Sequence, residues 1–141
     1  MNIFIQQYIR KDNILEHQLS IVAIVEDDSS VLRSVARLLN AHGFATEMFA
    51  SAEAFLCRDV ATEVSCVVLD IHLDGMSGIE LRRRLQTSGS CVPVIFMTGI
   101  DDRDLETRAR RTGCVAFLHK PFPADLLIGA VNEALADPQA G

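Results

Sequence analysis

Residues 21–28 run Ile21-Val22-Ala23-Ile24-Val25-Glu26-Asp27-Asp28, a short and mostly β-branched apolar stretch that passes directly into three acids. β-Branched residues favour strands, and an apolar run without polar alternation is what a strand covered on both faces requires. Acids placed straight after such a run belong at the rim of a sheet. This one segment therefore predicts a buried strand whose end carries charge.

The pattern recurs along the chain. Ala45–Phe49 is a weaker, alternating run, Val64–Leu69 and Val92–Met97 are apolar nearly throughout, and Val115–Leu118 closes the series. Between these runs lie stretches of helical periodicity. Val31, Leu32, Val35, Leu38 and Leu39 share one helical face, with Ser29 or Ser30 as the expected cap and Gly43 as the stop. Ser51 is placed to cap a short second helix carrying Phe55 and Leu56, and Ser77 with Glu80 has capping-box spacing ahead of Leu81 and Leu85. Asp101 or Asp102 starts a fourth helix ending at Gly113, and Pro123 opens a fifth through Leu126, Leu127, Val131 and Leu135.

Strict alternation of strand and helix predicts an α/β chain with a parallel sheet. Right-handed crossovers restrict its topology, and five strands favour the doubly wound, flavodoxin-like order 2-1-3-4-5 with five flanking helices. Ligands gather at the carboxyl ends of the strands in such a sheet. Residues 1–20 stand outside the alternation as an N-terminal extension, flexible or forming an extra helix with a stripe through Ile5, Tyr8, Ile9 and Leu19. The domain is expected over residues 21–136, and 137–141 read as a linker or tail. There is no internal repeat or low-complexity tract.

The bulk properties narrow the function classes. A chain of 141 residues can bury one core without staples. The net charge of −6 disfavours direct binding to nucleic acid. The N-terminus has no secretory h-region and no apolar run reaches bilayer length, so a cytoplasmic protein without membrane contact is expected. Cys57, Cys66, Cys91 and Cys114 form no C-x-x-C pair and are read as reduced core fillers. Arginines 82–84, with Arg108, Arg110 and Arg111, read as solvated helix faces, partner docking being the sharper alternative.

The polar residues at the expected strand ends carry the chemistry. Glu26, Asp27 and Asp28 follow the first strand, Asp70 ends the third, Thr98 the fourth, and Lys120 follows the fifth. Clustered carboxylates repel one another unless a cation sits among them, and a few hard oxygen ligands suit Mg²⁺. A carboxylate held in this way can act as a nucleophile and form an acyl phosphate. Asp70, at the middle of the sheet edge, is the best placed. A phosphoryl group there would be offset by the metal, the Lys120 ammonium and the Thr98 hydroxyl.

The sequences Ile24-Val25-Glu26-Asp27-Asp28, Leu69-Asp70, Met97-Thr98-Gly99 and Lys120-Pro121-Phe122 resemble the receiver domain of two-component response regulators, in its FixJ/LuxR-type branch. The resemblance extends over about residues 20–136. It implies that Asp70 is the phosphoacceptor and that Mg²⁺, or Mn²⁺, is held by Asp27, Asp70 and the backbone carbonyl of His72. Glu26 then acts directly or through water, and Asp28 lies just outside the pocket. It also implies that Thr98 and Lys120 touch the phosphoryl group and that Thr98 and Phe117 form the switch. The surface made by the fourth helix, fifth strand and fifth helix would be read by an output domain or a dimer partner.

Such a domain catalyses only its own phosphorylation and dephosphorylation, and is not otherwise an enzyme. The implied partners are a sensor histidine kinase or phosphotransfer protein and a phosphorylation-dependent homodimer, with DNA reached only through an effector domain controlling transcription. No helix-turn-helix follows residue 136, so a stand-alone receiver is the alternative.

Three departures from the family pattern stand out. The acidic pair is Glu-Asp rather than Asp-Asp, a variant that members tolerate. Asp74 replaces the usual proline, leaving the loop less rigid and more acidic. His72 puts an ionisable ring where the family tunes phosphoryl lifetime. A pseudo-receiver, an interaction module with this fold that never carries phosphate, would lack the acceptor, an acid or the lysine, and none is lacking. A nucleotide or flavin binder would need a glycine-rich loop after the first strand, where Glu26, Asp27 and Asp28 stand instead.

Overall fold

The computed structural model describes residues 20–59 and 63–136. In chain order the elements are β1 (Ile21–Val25), α1 (Ser29–Ala41), β2 (Ala45–Phe49), α2 (Ala52–Leu56), β3 (Cys66–Asp70), α3 (Gly78–Thr87), β4 (Val94–Thr98), α4 (Arg103–Arg111), β5 (Ala116–His119) and α5 (Ala124–Ala136). The five strands form one parallel sheet in the order β2-β1-β3-β4-β5. The expected stripe through Ile5, Tyr8, Ile9 and Leu19 and the tail from residue 137 lie outside the described residues.

Side chains alternate across each strand, so every central strand feeds two cores. Val22, Ile24, Cys66, Val68, Ile95 and Met97 pack on one face against α1 and α5. Ala23, Val25, Val67, Leu69, Val94 and Phe96 pack on the other with Phe55, Leu81 and Leu85 of α2 and α3. β3 and β4 are buried along their whole length, which is why their sequences lack alternation. β2, at the edge, is only half covered, and its sequence alternates.

Several boundaries differ from the sequence expectation. β3 begins at Cys66 rather than Val64, because pairing with β1 starts opposite Val22. β4 begins at Val94 and not Val92, immediately after Pro93, which has no N–H to give a ladder. The cap of α1 is Asp28 rather than Ser29 or Ser30: its Oδ1 accepts from the N–H groups of Ser30 at 3.0 Å and Val31 at 3.3 Å. An ionised carboxylate suits the positive end of the helix dipole, and these bonds hold the Asp28 carboxyl below its ordinary value, the Ser30 hydroxyl contributing most. Ser51, Ser77 and Asp102 cap α2, α3 and α4.

Two readings of residue type are corrected. Of the cysteines, only Cys66 is buried, Cys114 is half-buried, and Cys57 and Cys91 are exposed. Arg82 is not on a solvated face. It is buried, and its guanidinium donates to the carbonyls of Thr112 at 3.3 Å, Val92 at 3.0 Å and Gly113 at 3.1 Å. Gln86 donates to the same Thr112 carbonyl at 2.6 Å, so α3 is tied to the turn that leads into β5.

Candidate functional site

Parallel pairing brings the strand ends into one row. Val25 lies beside Leu69, Asp70 beside Met97 and Thr98 beside His119. The residues that leave β1, β3, β4 and β5 at their carboxyl ends therefore meet on one rim, and Glu26, Asp27, Asp70, Thr98 and Lys120 are all there.

Lys120 closes the group. Its Nζ donates to Glu26 Oε2 at 2.6 Å and to Asp70 Oδ2 at 3.2 Å, spanning 94 and 50 residues of sequence. Glu26 and Asp70 are buried while Asp27 is exposed at the mouth. Asp28 N–H donates to Glu26 Oε1 at 3.1 Å and His72 N–H to Asp70 Oδ1 at 3.1 Å. Burial raises the Glu26 carboxyl above its ordinary value, and the nearby Asp70 charge adds to this against the Lys120 and Asp28 donors. For Lys120 burial acts downward, but the Glu26 hydrogen bond and the charges of Asp70 and Glu26 outweigh it, and the ammonium is held above its ordinary value.

Carboxylate oxygens of Glu26, Asp27 and Asp70 all lie within 4.8 Å of one another. Three carboxylates against one ammonium leave the cluster short of positive charge. The donors are hard oxygens on a partly open rim, which fits a small divalent cation that keeps some of its water.

The other expected residues surround this centre. Thr98 is fully buried, and its Oγ1 accepts from Ile100 N–H at 3.1 Å. Phe117 is buried in the core of the α2–α3 face, with the Arg110 guanidinium 5.7 Å from its ring centroid and the His119 ring edge-on at 5.2 Å. His72 and Asp74 are exposed on the loop after β3, and the Asp74 N–H reaches back to Asp27 Oδ2 at 3.0 Å. Asp28 faces away into its helix cap, as expected of a residue outside the pocket.

The family model for the response regulator receiver domain matches residues 22–132. The chain belongs to this family.

This receiver domain is 33% identical over 121 residues to the response regulator protein TodT of Pseudomonas putida, covering 86% of this chain and 53% of TodT. It is 39% identical over 114 residues to the transcriptional regulatory protein FixJ of Azorhizobium caulinodans, covering 81% of this chain and 54% of FixJ. The chain thus spans about half the length of the curated relatives it matches. Among solved structures, FixJ-N superposes with a TM-score of 0.77 at 36% identity, over 83% of this chain and 94% of that one. A receiver protein from Burkholderia phymatum gives 0.73 at 38% identity, over 83% and 95%. The receiver is of the FixJ type, and no helix among its described residues is long and apolar enough to cross a membrane.

Two contributors to the receiver's rim escaped the sequence reading. Glu53, in the first turn of α2, accepts from Met76 N–H at 3.0 Å and so holds the loop after β3. In sequence it is an ordinary acid favouring a helix start. Gly78 opens α3 pressed against β3: a Cβ there would collide with the Asp70 carbonyl oxygen. The one hint in the sequence is a glycine directly behind the Ser77 cap.

Proposed function

We propose that this receiver takes a phosphoryl group from a phosphohistidine of a sensor kinase or phosphotransfer protein onto Asp70. The observation that carries the reading is the Lys120 ammonium bridging Glu26 and Asp70, three residues brought from three strand ends to one point. An Asp70 carboxylate oxygen attacks phosphorus, the P–N bond to the donor imidazole breaks, and the imidazole leaves with the electron pair. The product is an acyl phosphate on Asp70. The receiver turns over no separate substrate and supplies the catalysis for its own modification and hydrolysis.

Asp27, Asp70 and the His72 carbonyl would hold Mg²⁺ or Mn²⁺, with Glu26 direct or through water, and the ion supplies positive charge to the phosphoryl oxygens. Lys120, hydrogen-bonded to Asp70 Oδ2, supplies a second positive charge. The apolar groove between α1 and residues 120–122, lined by Val31, Val35, Leu38 and Phe122, opens beside Lys120 and is the surface we assign to the phosphodonor.

In this reading the Thr98 hydroxyl moves from Ile100 N–H to the phosphoryl group, opens space beneath it and lets Phe117 turn inward, which shifts the balance towards the buried position seen here and away from an outward one. The α4-β5-α5 surface then reports the change to a dimer partner or to an effector domain controlling transcription. Moving such an equilibrium from mostly off to mostly on takes about 5 kcal/mol of differential contact. The setting we propose is the cytoplasm, with no membrane contact.

Intact-mass measurement after incubation with acetyl phosphate and Mg²⁺ tests the acceptor. The wild type should gain one phosphoryl mass and Asp70→Asn none; a variant that labels like the wild type refutes the assignment.

A further inference from the structure

Asp27 differs from the other two acids of the cluster in being exposed, so its position has to be held by something other than packing. The structure shows what holds it. Asp27 Oδ2 accepts the Asp74 backbone N–H at 3.0 Å, a bond that joins the end of β1 to the loop after β3. A proline at residue 74 has no N–H and cannot make this bond. The acceptor oxygen keeps a lone pair and the second oxygen is left for a cation.

The loop that presents this N–H is itself held from the far side. Glu53 Oε2 accepts Met76 N–H at 3.0 Å, and that bond keeps the Glu53 carboxyl below its ordinary value. Gly75 lies between the two anchored amides at φ +78°, facing Glu53 so closely that a Cβ would stand 2.7 Å from Oε2. Residues 74–76 are thus held between one carboxylate from the end of β1 and another from α2.

We infer that Asp74 and Glu53 are positioning residues for the cation site: the Asp74 N–H aims the exposed Asp27 carboxylate into the cluster, and Glu53 fixes the loop that presents it. The inference rests on the cation-assisted reading above and goes beyond it in assigning two residues that touch neither metal nor phosphate. An exposed side chain ordered before binding loses less freedom on binding, an effect of about three- to tenfold in dissociation constant.

The test is the Mg²⁺ dissociation constant by titration calorimetry, with the amide resonances of Asp74 and Met76 followed by NMR. Asp74→Asn removes the side-chain charge and keeps the N–H, whereas Asp74→Pro removes both. Asp74→Pro should bind about three- to tenfold more weakly than Asp74→Asn. Glu53→Ala should weaken binding in the same direction and broaden both amide signals, and Glu53→Gln, which keeps an acceptor, should restore it. Urea unfolding of each variant verifies that it is folded. Equal affinities for Asp74→Pro and Asp74→Asn, or a Glu53→Ala variant that binds like the wild type, overturn the inference while leaving the cation site standing. A wild type that takes up no Mg²⁺ overturns the cation site, and this inference with it.

Discussion

Lys120 Nζ lies 2.6 Å from Glu26 Oε2, and that glutamate is only 1% exposed. The ammonium is farther from Asp70, at 3.2 Å, so the nearer partner of the lysine is Glu26 and not the proposed phosphoacceptor. Glu26 anchors Lys120, and the Asp70 carboxylate shares the ammonium through Oδ2 while its Oδ1 accepts the His72 N–H.

Removing Lys120 strands two buried acids. Breaking a fully buried pair costs about 3–5 kcal/mol; because Lys120 is 22% exposed, the expected loss for Lys120→Ala is smaller, about 2 kcal/mol. Mg²⁺ should restore much of it by supplying the missing charge. Urea denaturation with and without Mg²⁺ measures both effects, and a variant as stable as the wild type without metal would show that the bridge contributes little. The variant should also accept phosphoryl from acetyl phosphate yet fail to trigger output; full output would count against Lys120 as the coupling group.

Gly78→Ala tests the contact between α3 and β3. The new methyl meets the Asp70 carbonyl, which belongs to backbone and cannot swing away. Overpacking of this kind costs about 1–3 kcal/mol, and the strain it places on the Asp70 carbonyl should slow labelling of Asp70 more than tenfold. Unchanged labelling kinetics would mean that α3 yields and the acceptor does not.

Arg82→Leu keeps the bulk of the side chain but leaves the carbonyls of Val92 and Gly113 without this donor and that of Thr112 with Gln86 alone. A loss of about 2–4 kcal/mol is expected in urea unfolding. Its exposed neighbour gives the control, since Arg83→Ala should stay within about 0.5 kcal/mol of the wild type. Equal effects for the two would return Arg82 to the solvated face.

Burial pushes the Cys66 thiol up to about 12. The folded protein therefore keeps this proton at pH values where an unfolded chain, with a thiol near 8.5, releases it. Unfolding then binds fewer protons than folding retains, so stability is complete below about pH 8.5 and falls as pH rises from there toward 12. Thermal midpoints between pH 8 and 11 should decline, and less steeply in Cys66→Ala. In the native state at pH 8, iodoacetamide should modify exposed Cys57 and Cys91 and leave Cys66 untouched until denaturant is added. Rapid labelling of Cys66 would contradict its burial.

The sheet and the centre of the site were legible because they are written in contiguous runs. Apolar stretches such as Val67-Val68-Leu69 declare strands buried on two faces, and the polar residues directly after them declare the rim. Parallel topology does the rest, since it brings all carboxyl ends to the same side. Partnerships that depend on tertiary approach left no local mark. Arg82 meets carbonyls 10 to 31 residues away, and Glu53 meets an amide 23 residues on, so neither is distinguishable from a surface charge by periodicity. Asp28 was overlooked as the cap of α1 because the two serines behind it are equally good candidates on propensity alone. The family resemblance supplied the individual metal-ligand assignments and the switch roles, while the Asp27–Asp74 bond arises at a residue where this chain departs from the family pattern.

β3 is hydrogen-bonded to β1 on one side and β4 on the other, and none of its residues is exposed. Its last residue is consequently among the least yielding points of the backbone. A charge added at Asp70 cannot be absorbed by motion of the strand beneath it, which acts as an anvil. In the proposed reading the work of modification would pass outward, to the neighbouring loops 72–76 and 99–102, whose amides should lose or gain hydrogen-exchange protection while those of Val67 to Leu69 stay unchanged.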